Sequence, residues 1–150
     1  MPTSYDPAAG RRSLFAALLD ARDAAGRGAP AIEDQERAPL SYGRLVLGAM
    51  ILGDKLRRET SRGEFVGLLL PNVNGLVVTL MGLIAHGRVP AMLNFTAGSK
   101  NLRAACELGR IRTVVTSRRF VDSANLDAAI TAISEANVAG AKPRILYLED

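Results

Sequence analysis

Nucleophiles, bases and metal ligands are scarce in this chain, which holds one cysteine, Cys106, and one histidine, His86. A thiol becomes a nucleophile only beside a base or another group that favours the thiolate. Hydrophobic periodicity puts Cys106 and His86 in different helices, so they form no such pair. The same count excludes a Cys/His metal cluster, and no two carboxylates are spaced as an acid–base pair. Cys106 lies among apolar residues and reads as a small buried thiol. A single cysteine forms no intramolecular disulfide, which points to a reducing, cytoplasmic setting. His86, near the end of an apolar helix, reads as a core or dipole-favoured histidine.

The nearest approach to an anion cradle is Phe95-Thr96-Ala97-Gly98-Ser99-Lys100. It lacks the glycine spacing of a phosphate-binding loop. It reads better as a strand-to-helix turn in which Thr96 or Ser99 caps the helix and Gly98 bends the chain. Ligands of open α/β sheets gather at the C-terminal ends of the strands. That rule selects Asn72, Asn74, Asn94, Phe95, Thr96 and Arg118, with Arg119 beside them, as substrate-facing candidates. Asn72 and Asn94 serve equally well as helix caps or turn closers. No residue is assigned to catalysis, cofactor binding or a metal.

The elements that position these residues follow from the apolar pattern. After a lead-in over 1–12, Ser13 to Gly26 carries Leu14, Phe15, Leu18 and Leu19 at helical spacing, with Ser13 as N-cap and Gly26 as stop. Ala31-Ile32-Glu33 and Pro39-Leu40-Ser41 flank a polar turn and predict a hairpin at a sheet edge. Leu45, Ala49, Leu52 and Leu56 give the helix Tyr42 to Glu59 one apolar face. Phe65 to Leu70 is apolar without alternation, as in a parallel strand covered on both sides. Asn72 is placed to cap the apolar helix Val73 to His86, which stops at Gly87. A strand at Val89 to Leu93, a helix at Lys100 to Leu108, a strand at Thr113 to Thr116, a helix through Leu126, Ile130 and Ile133, and a strand at Arg144 to Leu148 complete the order. Strict alternation predicts an α/β fold, a doubly wound parallel sheet with helices on both faces and an N-terminal hairpin. The last strand ought to enter another crossover, so the pattern reads as a truncated subdomain spanning 13–150.

Composition narrows the class of partner. Hydrophobic residues form 48% and charged residues 23% of the 150, which is the range of folded chains and not of disorder. The formal charge of +4 invites an anionic ligand, but basic residues come at most in pairs (Arg11-Arg12, Arg57-Arg58, Arg118-Arg119). No tract resembles a nucleic-acid arm. The opening ten residues carry no secretory signal. Polar and proline breaks between Val66 and Leu93 leave no transmembrane segment.

Three blocks then carry a resemblance: Pro39 to Leu45 (PLSYGRL), Gly63 to Asn72 (GEFVGLLLPN) and Gly87 to Asn94 (GRVPAMLN). In order and spacing they resemble the opening of the AMP-dependent synthetase and ligase superfamily. Within it, Gly87 to Asn101 and Arg112 to Arg118 are most similar to the branch of bifunctional 2-acylglycerophosphoethanolamine acyltransferases and acyl-[acyl-carrier-protein] synthetases. The resemblance implies a ligase that joins a fatty acid to AMP and then passes the acyl group to the thiol of CoA or acyl carrier protein. It also implies ATP and Mg for the full-length enzyme, which can be membrane-associated. The Ser/Thr/Gly-rich, lysine-ended loop with which that superfamily holds the ATP phosphates has no counterpart in these 150 residues. The chain alone is therefore expected to bind no cofactor and to be inactive, with some self-association through its truncated sheet. The alternative is a flavodoxin-like module that holds an anionic ligand or an acidic carrier protein, using Arg118.

Overall fold

A computed structural model describes residue 7 and residues 9–150. Residues 1–6 and 8 of the expected lead-in lie outside the described residues. Helix α1 (Leu14–Ala25) opens as anticipated, the Ser13 hydroxyl accepting from the Ala16 N–H at 3.1 Å, and it stops at Gly26, whose φ is 91°. Strands β1 (Pro30–Glu33) and β2 (Pro39–Ser41) form the hairpin. It is not an edge of the main sheet, as the sequence suggested, but a separate two-stranded sheet. The reason lies in its chemistry. Each strand opens on a proline that lacks an N–H, and Ala31, Ile32 and Leu40 are drawn onto Leu18, Leu45 and Val46 of the helices.

Helix α2 (Tyr42–Glu59) starts at Ser41, whose hydroxyl accepts from the Arg44 N–H at 3.4 Å, and it buries Leu45, Val46, Ala49, Gly53 and Leu56. The main sheet has four parallel strands in the order β4-β3-β5-β6: β3 (Phe65–Leu68), β4 (Val89–Met92), β5 (Thr113–Thr116) and β6 (Arg144–Tyr147). Helix α3 (Asn74–Ala85) lies with α2 on one face, where Val66, Leu68 and Leu70 meet Leu56, Leu76 and Leu83. Helices α4 (Ser99–Leu108), α5 (Arg118–Ser123) and α6 (Asp127–Ser134) cover the other, around Leu69, Leu102, Cys106, Val114 and Ile133. Alternate residues of one strand thus feed two cores, which explains the unbroken apolar run from Val66 to Leu70. The doubly wound architecture is the one expected. No helix among the described residues is long and apolar enough to cross a membrane.

Two glycine contacts set the spacing of these layers. A Cβ on Gly53 would lie 2.5 Å from His86 Cδ2 and 2.6 Å from the Gly82 carbonyl, and one on Gly82 would lie 2.7 Å from the Ala49 carbonyl. Backbone meets backbone where α2 crosses α3. On β3, a Cβ on Gly67 would strike Leu93, Ile111 and Val114 at 2.9–3.0 Å, so the segments after β4 and around β5 close over a position with no side chain.

Three local expectations are corrected. Asn72 does not cap α3: the Val73 N–H turns back to the Pro71 carbonyl at 2.8 Å, leaving Asn72 exposed in a tight turn and Val73 as an N-cap without a side-chain acceptor. Neither Thr96 nor Ser99 caps α4, because Gly98, at φ 82°, is the N-cap. Arg118 and Arg119 do not trail from a strand but open α5, which forms because the Ser117 hydroxyl accepts from the Phe120 N–H at 3.3 Å.

Candidate active-site cleft

The chain leaves β3 through α3 towards β4, then returns through α4 to β5 on the other side of β3. The two crossovers run in opposite directions and put their helices on opposite faces, as right-handed connections require. Their divergence opens a crevice above the C-terminal ends of β3 and β5, the place where open α/β sheets bind ligands. A cleft of 560 Å³ occupies it. One wall is the β3–α3 turn with Leu70, Val73 and Asn74, and the opposite wall is α5 with Ser117, Arg119 and Phe120. Leu148 closes one side, and Asp34 and Glu36 from the hairpin turn stand at the rim.

Asp34 organises that rim. Its Oδ1 accepts from the N–H groups of Glu36 (3.1 Å) and Ala38 (3.3 Å), closing the turn, and its Oδ2 accepts from the Asn74 N–H at 3.4 Å. A carboxylate borrowed from the hairpin therefore meets the positive start of α3, which has no cap of its own. The Asn74 amide completes the link by donating to the Ala38 carbonyl at 2.7 Å. Asn74 thus faces the cleft and anchors its rim at once.

On the opposite wall the start of α5 is also occupied. The Ser117 hydroxyl donates to Glu149 Oε1 at 2.8 Å. The loss of some surrounding water alone would raise the Glu149 carboxyl, but the Ser117 hydroxyl and the backbone N–H groups of Glu149, Arg118 and Arg119 outweigh it and hold the group below its ordinary range. Arg118 turns away to Asp150, at 2.7 and 2.9 Å from its two carboxylate oxygens, and lies 4.1 Å over the Tyr147 ring. The Asp150 carboxylate, both of whose oxygens accept from Arg118 Nη2, raises the pKa of that guanidinium further. Arg119 is exposed, lines the cleft, and among the described residues has no carboxylate at ion-pair distance.

Of the predicted site residues, the structure places Asn74 and Arg119 on the cleft, facing each other from its two walls. Asn94 and Thr96 lie beyond β4 and satisfy each other, Asn94 Oδ1 accepting from the Thr96 N–H at 3.0 Å and its hydroxyl at 2.8 Å. Phe95 stands behind the wall, its ring 5.1 Å from that of Phe120 and perpendicular to it. Asn72 is exposed in its turn and is not part of the lining. Among the lining residues that were not anticipated are Asp34, Ser117, Phe120 and Leu148. Ser117 carried a readable signal, a serine directly after a strand and before a polar-apolar run. Asp34 did not, since its partner lies 40 residues away.

The cleft suits a ligand with an apolar body and one acidic group, because Leu70, Leu76, Phe120 and Leu148 offer apolar surface and Arg119 offers a cation that has no ion pair among the described residues. It does not fit Mg–ATP. The α3 N-terminus already holds Asp34, Glu36 adds a second negative charge beside it, and among the described residues no three His, Cys, Asp or Glu side chains converge as metal ligands. In the Phe95–Lys100 turn two N–H groups are already taken, that of Thr96 by Asn94 Oδ1 and that of Ala97 by the Asn94 carbonyl, each at 3.0 Å.

An open, doubly wound α/β domain with a crevice at its switch point defines a broad class of ligand-binding enzymes. Residues 19–148 match the AMP-binding enzyme family, and the chain belongs to that family. Among solved structures it is similar to the N-terminal domain of FACL13 from Mycobacterium tuberculosis (TM-score 0.75, 16% identity, 92% of this chain and 34% of that one). It is also similar to a benzoate CoA ligase from Burkholderia xenovorans LB400 (TM-score 0.68, 21% identity, 90% and 26%) and to MatB from Rhodopseudomonas palustris (TM-score 0.65, 22% identity, 91% and 26%). The chain therefore spans about a quarter to a third of each of these structures.

Proposed function

We propose that this chain supplies the N-terminal α/β layer of an adenylate-forming acyl-activating ligase, and that its cleft forms one wall of the acyl-binding region. The match of residues 19–148 to the AMP-binding enzyme family carries this reading. The similarity to FACL13 and to CoA ligases supports it. In this reading Arg119 attracts the carboxylate of the incoming acid, and Leu70, Leu76, Phe120 and Leu148 exclude water from its chain. ATP and Mg are held elsewhere in such a ligase, in keeping with the poor fit of Asp34 and Glu36 to a triphosphate.

For the acceptor we propose a carrier thiol, that of CoA or of an acyl carrier protein. What supports this is the similarity of Gly87–Asn101 and Arg112–Arg118 to acyl-[acyl-carrier-protein] synthetases. The purified chain is tested in ATP–pyrophosphate exchange with a panel of fatty acids, and beside it in fatty-acid binding followed by amide chemical shifts. The expected result is no exchange, with shifts confined to the cleft and weakened by Arg119→Ala. Exchange catalysed by the chain alone, or fatty acid bound away from Arg119, refutes the proposal.

A further inference from the structure

The opposite end of the sheet, where the parallel strands begin, carries a different surface. A groove of 470 Å³ runs beneath β3 and β5, and Arg62, Arg110 and Arg112 line it. All three are exposed, and among the described residues none has a carboxylate at ion-pair distance. The acidic groups at this end are committed elsewhere. Glu64, also in the groove, accepts from the Ser61 N–H and the Thr113 hydroxyl, each at 2.7 Å. Glu107 accepts from Arg103 and from the Asn137 N–H, both at 3.1 Å. The groove itself therefore keeps three guanidinium groups against one carboxylate.

A second observation stands beside the charge. Phe65, the first residue of β3, is 47% exposed, and its register partner Val89, the first of β4, is 40% exposed. Phe65 shares a sheet face with Gly67, whose Cβ position abuts Ile111, so both apolar residues emerge on the side where α4 ends. There Leu108, two residues before Arg110, is 86% exposed. Large apolar side chains left in water among unpaired arginines fit neither a solvated surface nor a nucleotide pocket. They fit an interface whose outer layer is anionic and whose next layer is apolar.

We propose that the strand-start end of the sheet is a contact surface for anionic phospholipid, with Arg62, Arg110 and Arg112 on the phosphates and Phe65, Val89 and Leu108 entering the headgroup–acyl boundary. Charge complementarity selects this occupant, because the groove sets Arg62, Arg110 and Arg112 against the single carboxylate of Glu64, and the exposed Phe65, Val89 and Leu108 supply the apolar contact that an anionic headgroup layer covers. The contact is peripheral and salt-sensitive, and it leaves the cleft at the other end of the strands open.

Co-sedimentation with vesicles of phosphatidylcholine, with and without phosphatidylglycerol, tests this on the chain as it stands. Binding is expected only to the vesicles containing phosphatidylglycerol, and it is lost in ~1 M salt, where the screening length is about 3 Å. Each arginine changed to alanine is expected to weaken binding about fivefold, and the triple change roughly a hundredfold. Leu108→Ala should weaken it severalfold at each salt concentration at which binding is measurable. If the triple variant fails to fold by circular dichroism, Arg110→Ala alone decides. Equal binding to neutral vesicles, no binding to any vesicle, or undiminished binding by the arginine variants overturns the proposal. So does displacement by inorganic phosphate at constant ionic strength, which marks a site for small anions instead.

Discussion

Replacing Arg88 by methionine should destabilise the fold by about 3 kcal/mol. Its guanidinium sits between two helix ends. Nε donates to the Thr60 hydroxyl at 2.9 Å, Nη1 to the His86 carbonyl at 2.5 Å, and Nη2 to the Arg57 carbonyl at 2.9 Å and to the Thr60 carbonyl. Arg57 and Thr60 lie at the C-terminus of α2, and His86 at that of α3, where carbonyls lack intrahelical partners and the helix dipoles end negative. A hydrogen bond to a charged group contributes about 1.5–3 kcal/mol, and a cation at a helix C-terminus about 0.3–1. Arg88 is half-buried and its partners are near water, so about 1 kcal/mol for each helix end and about 1 for the Thr60 hydroxyl is the appropriate sum. Methionine keeps the apolar stem and removes only the head. Urea unfolding should show the loss with an unchanged slope, and the melting temperature should fall by roughly 6–12 °C. Lysine, which reaches one helix end but not both, should recover about a third of the loss. A change below about 0.5 kcal/mol for methionine, the range of an ordinary surface substitution, would refute this account of the two helix ends.

Other outcomes follow from the same contacts. Burial, reinforced by the nearby Glu107 carboxylate, pushes the Cys106 thiol up to about 11. At pH 8 only about one thiol in a thousand is ionised, so a disulfide reagent should react with it only after denaturant is added. Gly53→Ala and Gly82→Ala should each lower stability by about 1–3 kcal/mol, read from urea curves, since backbone must yield at both positions. Asp34→Ala should cost about 1 kcal/mol and speed amide exchange at Asn74 and at Glu36 and Ala38, with the sheet protected as before. The Asn137 N–H, and then Arg103, hold the Glu107 carboxyl below its usual 4.5. A depressed carboxylate stabilises the fold above its unfolded pKa and loses that contribution as pH falls through the folded value. Glu107→Gln should therefore flatten acid unfolding below about pH 4.5, as followed by circular dichroism.

Much of the fold was readable because its signals are local. Ser13 and Gly26 mark the ends of α1 with a side chain or the lack of one, and the run from Val66 to Leu70 announces two-sided burial. The cleft was less readable. The rule of strand ends led to Asn72, Asn94 and Arg118, but it does not say which turn folds back on itself, which asparagine spends its oxygen on Thr96, or which of two adjacent arginines is taken by Asp150. Those outcomes depend on partners 2 to 32 residues away. The hairpin's detachment from the main sheet likewise rests on tertiary packing, since Ile32 and Leu40 find their apolar partners on α1 and α2.

The glycine crossing of α2 and α3 also bears on how the cleft can respond to a ligand. With backbone against backbone at Gly53 and Gly82, the two helices have almost no side-chain layer in which to slide. Asp34 and Asn74 fasten the hairpin turn to that same slab. One jaw of the cleft, made of the hairpin turn, α2 and α3, is thus held together by backbone contact and hydrogen bonds. The other jaw is the six-residue α5, fixed at its start by Glu149 and resting on the Phe95–Phe120 contact. Accommodation of ligands of different girth therefore falls to α5, and a survey of bound states should find Arg119 and Phe120 displaced while Asn74 stays where it is.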